Sequence, residues 1–569
     1  MPTSRNWLGR RSSLFLAAFF CAAVLCAAIS SVFAAPGEDS AKPDPRGSYF
    51  YKKRYTPSPL PKFEQLRTTL PSPIYDERPL LVELYWKAWE LATHNFHEPA
   101  PASGMVSQFI DAAFNKNIFL WDTCFMTMFC KYGDPLVPAI GSLDNFYARQ
   151  HEDGEICREI DRTTGMDHDE WINDPGGPMF SRWGWNISGA DARRIPKPVV
   201  YIGRNAPEPP PFNTLDALNH PIFAWAELDS YLLTGDRERL TNVWEPLNRY
   251  YGALRKYLRQ GNGLYITDWA SMDNSPRNVY LIDGGTGVDI SSEMALFARQ
   301  MSAIGTMLGK RDEAANYARD ADELATLINA KMWDPGRRFY FDLKGNGERA
   351  PVKTIGAYWP LLAKVANREQ ADALAAELGN KKTFGRMHRV PSCSADEPGY
   401  AADGAYWRGA VWVSSNTMVI RGLENYGKRD LARELALEHL DRVARVFEKT
   451  GTIWENYAPD SLEPGKPARR DFVGWSGLGP IMYLLEFAIG LKADAKANEM
   501  TWDLRSPART GCERFRFNGH VITLVAGPVD KGRRRINVDS DGKFQLRIRD
   551  VRGRERSFAV KAGHSELVV

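Results

Sequence analysis

The sequence predicts a mainly α-helical chain that closes into an α/α toroid and ends in a small β-domain, a sandwich. Three observations predict it. Amphipathic segments come in pairs separated by short Gly/Asp breaks, the mark of antiparallel helical hairpins. No fixed repeat of roughly 30–45 residues runs through them, which sets aside an open solenoid. After about Ala495 the texture changes to short alternating runs punctuated by Asn518-Gly519, Asp541-Gly542 and Gly553.

The helical segments justify themselves in order. Residues 80–96, 118–130 and 138–150 are apolar along one face. Hairpins follow at 219–233 with 239–259, broken at Thr234-Gly235-Asp236, and at 291–308 with 313–332, broken at Gly309-Lys310-Arg311. Two more are 354–366 with 369–378 and 413–426 with 430–447, and 472–491 closes the series. About twelve or thirteen helices are enough for a closed toroid rather than a small bundle. Between 151 and 211 the chain is crowded with Gly, Pro, Asp and Trp, and an irregular stretch that long is usually functional. The β-domain runs are 515–517, 521–525, 535–538, 544–548 and 557–560.

The ends add two non-catalytic pieces. Arg5, Arg10 and Arg11 precede an apolar run over 14–29, and Val32-Phe33-Ala34-Ala35 offers small residues for cleavage. The expected organisation is therefore a signal peptide over 1–35, an extended arm over 36–79, the toroid over 80–494 and the β-domain over 495–569. The mature protein would be secreted or periplasmic, with no membrane attachment after cleavage. Of seven cysteines, Cys21 and Cys26 leave with the signal. Cys124, Cys130, Cys157, Cys393 and Cys512 show no zinc spacing, and an exported chain allows one or two disulfides among them.

Composition narrows the function. A net charge of +3 over 569 residues excludes a dedicated nucleic-acid binder, which needs a basic surplus to displace counterions. The 17 Trp, 22 Tyr and 27 Phe suit either a large core or, as flat rings with polar handles, hydroxylated ligands such as sugars. Three segments combine carboxylates with aromatics: Trp269-Ala-Ser-Met-Asp273-Asn-Ser-Pro276, Trp454-Glu455-Asn456-Tyr457 and Phe119-Leu-Trp121-Asp122. A carboxyl group walled by aromatic rings loses solvation and its pKa rises. One such acid facing an ionised carboxylate is what acetal cleavage requires. Taken singly, each has an ordinary reading, Asp before Asn-Ser-Pro as an Asx-turn and Trp-Glu as part of a buried ion pair.

Other candidates carry less. Asp167-His168-Asp169-Glu170 reads as an acidic loop rather than a cation site. His94, His97, His151 and His220 have no ligand spacing, and Gly284-Gly-Thr-Gly287 lacks the Lys-Ser/Thr of a phosphate loop. Asn186-Ile-Ser188 is a sequon only where the source glycosylates. No cofactor and no metal are expected.

In chain order the motifs resemble glycoside hydrolase family 63, within the trehalase-like and mannosylglycerate hydrolase-like six-hairpin glycosidases. They are Phe119-Leu-Trp-Asp122, Gln150-His-Glu-Asp-Gly154, Gly235-Asp236, Ser271-Met-Asp-Asn-Ser-Pro-Arg277 and Val288-Asp289. Tyr406-Trp-Arg-Gly409 with Trp412, Trp454-Glu-Asn-Tyr457 and Phe472-Val-Gly-Trp-Ser476 complete the set. The resemblance implies an (α/α)6 toroid with a central cavity and inversion at the anomeric carbon. It implies Asp273 as general acid and Glu455 as general base, a pair standing roughly 6.5–9.5 Å apart in inverting enzymes. It places Trp121, Asp122, Gln150, Tyr406, Trp407, Trp412 and Trp475 about the sugar, with Arg408 facing either a carboxylated aglycone or the scaffold. The longer signatures of true trehalases are absent, leaving glucosides, mannosides and glycerate-type conjugates open. Two competitors are a non-catalytic glycan-binding protein on the same toroid and a phosphorolytic enzyme, for which no basic cluster near Glu455 speaks.

Overall fold

A computed structural model describes residues 46–112, 114–167, 220–267, 272–281 and 284–569. The signal peptide, the start of the arm, Trp269 and residues 168–211 of the long irregular segment lie outside the described residues.

The helical segments read from the sequence are present with bounds set by local chemistry, except that 354–366 reduces to a 3-10 turn, Ile355–Tyr358, and a four-residue helix, Trp359–Leu362. Arg237–Leu258 starts on Asp236, whose side chain accepts the Arg239 N–H at 2.9 Å. Arg368–Glu377 opens with a reciprocal capping box between Asn367 and Gln370. Phe223–Thr234, Val288–Leu308 and Arg429–Thr450 end on Gly235, Gly309 and Gly451 in the left-handed region. The segment over 138–150 is broken into a 3-10 turn, Ile140–Leu143, and a short helix, Asp144–Ala148. The last segment is a 3-10 turn, Trp475–Leu478, that runs into a π-helical stretch, Gly479–Ile489, in which every side chain is buried.

Among the described residues, six segments pack in a closed cycle. Leu120–Cys130 contacts Phe223–Thr234, which contacts Val288–Leu308, then Trp359–Leu362, then Val413–Asn425. Residues 475–489 follow and return to Leu120–Cys130. The longer members of this ring are buried almost all round, which is why their sequences are apolar on more than one face. Their partners bury one stripe only. Arg311–Lys331, packed on Val288–Leu308, buries Ala314, Tyr317, Ala321, Leu324 and Ile328, a helical spacing of three and four.

The C-terminal region is β-rich. One sheet has five strands and another four, and the four-stranded one contains a parallel pair, Glu499–Leu504 beside Phe544–Asp550. The arm contributes a strand of its own. Ser72–Tyr75 pairs antiparallel with Thr510–Phe517, Ser72 opposite Glu513 and Tyr75 opposite Thr510, forming the edge of the five-stranded sheet. The arm is thus tied to the far end of the chain rather than merely extended over the surface. Trp502, fully buried, donates its indole N–H to the Ile489 carbonyl at 3.0 Å and so fastens the second sheet to the end of the ring.

Cys124, Cys130, Cys157, Cys393 and Cys512 are all buried free thiols, so no disulfide joins these five. No helix among the described residues is long and apolar enough to cross a membrane.

The junction between ring and sheet is tight at one glycine. Gly490 has a φ of 96°, and a Cβ there would lie 2.2 Å from the Asp503 carbonyl oxygen. Gly427, at φ 73°, has no atom within 4 Å of such a Cβ. Gly490→Ala is expected to cost more than ~3 kcal/mol and Gly427→Ala only about 1 kcal/mol, read as the difference in denaturation midpoints. Equal costs would contradict this account of the junction.

Candidate active site

The proposed site residues gather where the ring helices begin. Trp121 and Asp122 stand in the first turn of Leu120–Cys130, Asp289 in the first turn of Val288–Leu308, Trp412 just before Val413–Asn425, and Trp475 at the head of its turn. Asp273 lies on the turn that precedes Val288–Leu308 and is half-buried.

That turn is held from two sides. Behind it, Arg277 is fully buried and its guanidinium binds Asp289 and, at 3.3 Å, Asp342. Asp342 also accepts the Val288 N–H at 2.9 Å, which ties the guanidinium to the start of the helix. In front, the Asn274 carboxamide brackets Tyr406: its NH2 donates to the Ala405 carbonyl at 3.0 Å and its oxygen accepts the Trp407 N–H at 2.8 Å. Ala405 and Tyr406 have φ values of 36° and 66°, left-handed conformations that side-chain-bearing residues avoid. Strain of this kind persists only where the surroundings over-determine the backbone, and the Asn274 clamp does so.

The strained loop aims Tyr406 at the second carboxylate. Its phenol donates to Glu455 Oε1 at 3.1 Å, while Glu455 Oε2 accepts the Arg469 N–H at 2.9 Å. The Glu455 backbone is fixed as well, its N–H on the Arg469 carbonyl at 3.0 Å and its own carbonyl taking the Trp475 indole N–H at 3.1 Å. Burial pushes the Glu455 carboxyl up to about 6, against the pull of the Arg469 N–H and the Tyr406 phenol.

Tyr406 also reports the company that Glu455 keeps. Burial raises its phenol well above the ordinary value, and the charges of Glu455, Asp273 and Asp122 add to that. Three carboxylates from distant parts of the chain therefore act on one phenol. Asp122 is itself held well above the carboxylate range, by burial first and then by the charge of Asp111, with smaller contributions from Glu159 and Asp273.

Aromatic rings supply the walls. Trp407 stacks on Trp412 with centroids 4.5 Å apart and planes within 8°. Trp412 meets Tyr406 edge-on at 4.7 Å and Trp475 at 5.7 Å, and Phe114 and Phe472 pack against Trp475. Trp121 lies against His220 at 4.0 Å and near Trp359 at 6.0 Å. Gln150 is fully buried, with its NH2 on the carbonyls of Gly154 and Pro246. Arg408 gives its Nε–H to the Gly399 carbonyl at 2.8 Å.

Sequence reasoning missed several contributors. Asp111 and Glu159 lie on either side of Asp122 in sequence and are joined to it only by the fold. His220 has no ligand spacing, yet it bonds Glu293 and rests on Trp121. Asn274 and Arg277 sit inside a quoted motif, but nothing in their types announced a clamp.

The mannosylglycerate hydrolase MGH1-like glycoside hydrolase domain matches this chain over residues 213–476, a span that carries both Asp273 and Glu455. That span is similar to the glycoside hydrolase domain and is just under half of the chain. An uncharacterized protein of Borreliella burgdorferi is 26% identical over 461 residues, covering 78% of this chain and 87% of that one. The mannosylglycerate hydrolase of Thermus thermophilus is 36% identical over 118 residues, 20% of this chain and 27% of the relative. A crystal structure of the family 63 mannosylglycerate hydrolase from Thermus thermophilus in complex with glucose superposes with a TM-score of 0.51 at 20% identity. That match covers 70% of this chain and 99% of the other, so the shared fold accounts for nearly all of the smaller enzyme. The likenesses point to a glycoside hydrolase domain.

The clamp yields a prediction. Asn274→Ala removes both bonds that bracket Tyr406, so the Asp273 turn and the Tyr406 loop lose their register. The expected loss in kcat is on the order of 10²-fold, with KM changed far less. The stability cost should be about 1–3 kcal/mol. A variant with wild-type kcat would remove Asn274 from the account.

Proposed function

We propose that this protein is an exported, inverting α-glycosidase on an (α/α)6 toroid. Its substrate would be a small α-linked glucoside, mannoside or related glycoside. The observation that carries the reading is the Tyr406 phenol, bonded to Glu455 and acted on by the charges of Asp273 and Asp122. It supports a single pocket containing an acid, a base and a sugar-binding carboxyl. The closed cycle of ring helices supports the toroid, and the basic and apolar N-terminal pattern supports export.

In this mechanism Asp273 protonates the glycosidic oxygen while Glu455 takes a proton from water on the opposite face of the sugar. Each Glu455 oxygen already accepts one hydrogen bond, which fixes the plane of the carboxylate and leaves a lone pair for the water. Its raised pKa makes it a stronger base than a solvated glutamate, and it is still ionised at neutral pH. Asp122 serves the sugar hydroxyls, and the stacked Trp407 and Trp412 rings give its carbon face an apolar wall.

The direct test is a panel of α-linked disaccharides assayed with the parent protein, Asp273→Asn and Glu455→Gln. Each substitution is expected to lower kcat by about 10²–10⁴-fold with circular dichroism unchanged. Retained turnover in either variant refutes the assignment.

The pH profile follows from the Glu455 carboxyl. The active form is the carboxylate, so kcat/KM is expected to rise with pH through an apparent pKa of about 6. The Tyr406 phenol favours the charged form, so its removal must raise that pKa. Tyr406→Phe should move the acid limb upward by about half a unit to one unit. A limb that stays in place or moves to lower pH would show that another group controls it.

A further inference from the structure

The ring helices enclose a second space at their C-terminal ends, away from the ends that carry Asp122 and Trp412. Its volume is about 520 Å³, and Leu491, Ala493 and Phe515 of the β-rich region contribute to its walls. A cavity of this size holds a small ligand. Most of its charges are matched within the protein. Lys131 lies 2.7 Å from Asp229 and 3.7 Å from Glu486, Arg421 binds Glu486 at 2.6 Å, and Lys492 pairs with Glu424.

Two lining groups are not matched. Gln300 is only 8% exposed, and its carboxamide makes no hydrogen bond among the described residues, with Oε1 fully enclosed. A buried amide without a partner is destabilising. Lys364 lines the same space and is exposed, and its ammonium has no hydrogen-bond or ion-pair partner among the described residues. It also occupies a left-handed position, φ 54°, just after the helix Trp359–Leu362. Other ring helices place glycine at the equivalent point, Gly235 and Gly309 among them. A non-glycine residue there is strained. Two residues that each work against the empty fold thus face one cavity, as residues kept for a ligand do.

We propose that this cavity binds a small hydroxylated organic anion of the sugar-acid kind. The carboxylate pairs with the Lys364 ammonium. A hydroxyl accepts from the Gln300 NH2, the part of the carboxamide that is not enclosed. The carbon skeleton lies on Trp225, Leu228 and Leu296, which line the same space. The site is separate from the catalytic pocket and needs no turnover to be seen.

The test is calorimetric titration of D-gluconate into Asp273→Asn protein, with sorbitol as the uncharged counterpart. Gln300→Leu and Lys364→Gly are then made in the same background. Saturable gluconate binding is expected, weakened at least about tenfold by either substitution, with sorbitol binding much more weakly. Without ligand both variants should melt at or above the parent temperature, since each removes an unfavourable feature of the empty fold. The proposal is overturned by absent gluconate binding, by binding unchanged in both variants, or by equal affinity for sorbitol. Lost binding together with a lowered melting temperature would also overturn it, by showing both residues to be structural. None of these outcomes depends on whether Asp273 and Glu455 are the catalytic pair.

Discussion

The site depends on one buried cation. Arg277 has no solvent exposure, and a guanidinium taken out of water is tolerable only if carboxylates replace its hydration. Asp289 and Asp342 do so, and their own positions are fixed by that demand. Asp289 belongs to the first turn of Val288–Leu308, and Asp342 also holds the Val288 N–H. The turn that carries Asp273 is therefore bolted to a helix of the ring. Removing one partner from such a cluster typically costs about 3–5 kcal/mol, because it strands the remaining charge. Rigid support of this kind lets a short turn hold a reacting group.

From that anchor the geometry propagates outward through the chain. Asn274, three residues before Arg277, grips the backbone on both sides of Tyr406, and Tyr406 grips Glu455. The Asp273 turn, the strained loop and Glu455 are thus linked in series by hydrogen bonds. Trp475 and Arg469 close the series from the far side by holding the Glu455 backbone and its second oxygen. Burial then shifts the carboxyls, pushing Glu455 up to about 6 and raising Asp122 as well. The half-buried Asp273 and the buried Glu455 differ in solvation.

The helical part of this fold was legible because its signal is local. Periodicity and Gly/Asp breaks located each ring helix to within a few residues, and the glycine stops coincide with left-handed backbone at Gly235 and Gly309. What the sequence hid was non-local. The strand Ser72–Tyr75 contains Pro73 and reads as arm, and only its pairing with Thr510–Phe517 makes it a strand. Glu499–Leu504 alternates Met500, Trp502 and Leu504 inward, a period-two signal too short to stand out beside a helix. The π-helical course of Gly479–Ile489 leaves no mark in a uniformly apolar run. At the site the carboxylates and tryptophans were visible as residue types in suggestive company. The clamp by Asn274, the influence of Asp111 on Asp122 and the seat of His220 on Trp121 depend on residues brought together from far apart, and no spacing rule encodes them.

Stereochemistry tests the central claim most directly, because a separated acid and base with water between them permit only one outcome. The measurement is proton NMR of the sugar first released from an α-linked substrate, recorded before mutarotation. The account predicts that the β-anomer appears first. Initial release of the α-anomer would mean retention through a covalent or equivalent intermediate and would contradict the roles given to Asp273 and Glu455.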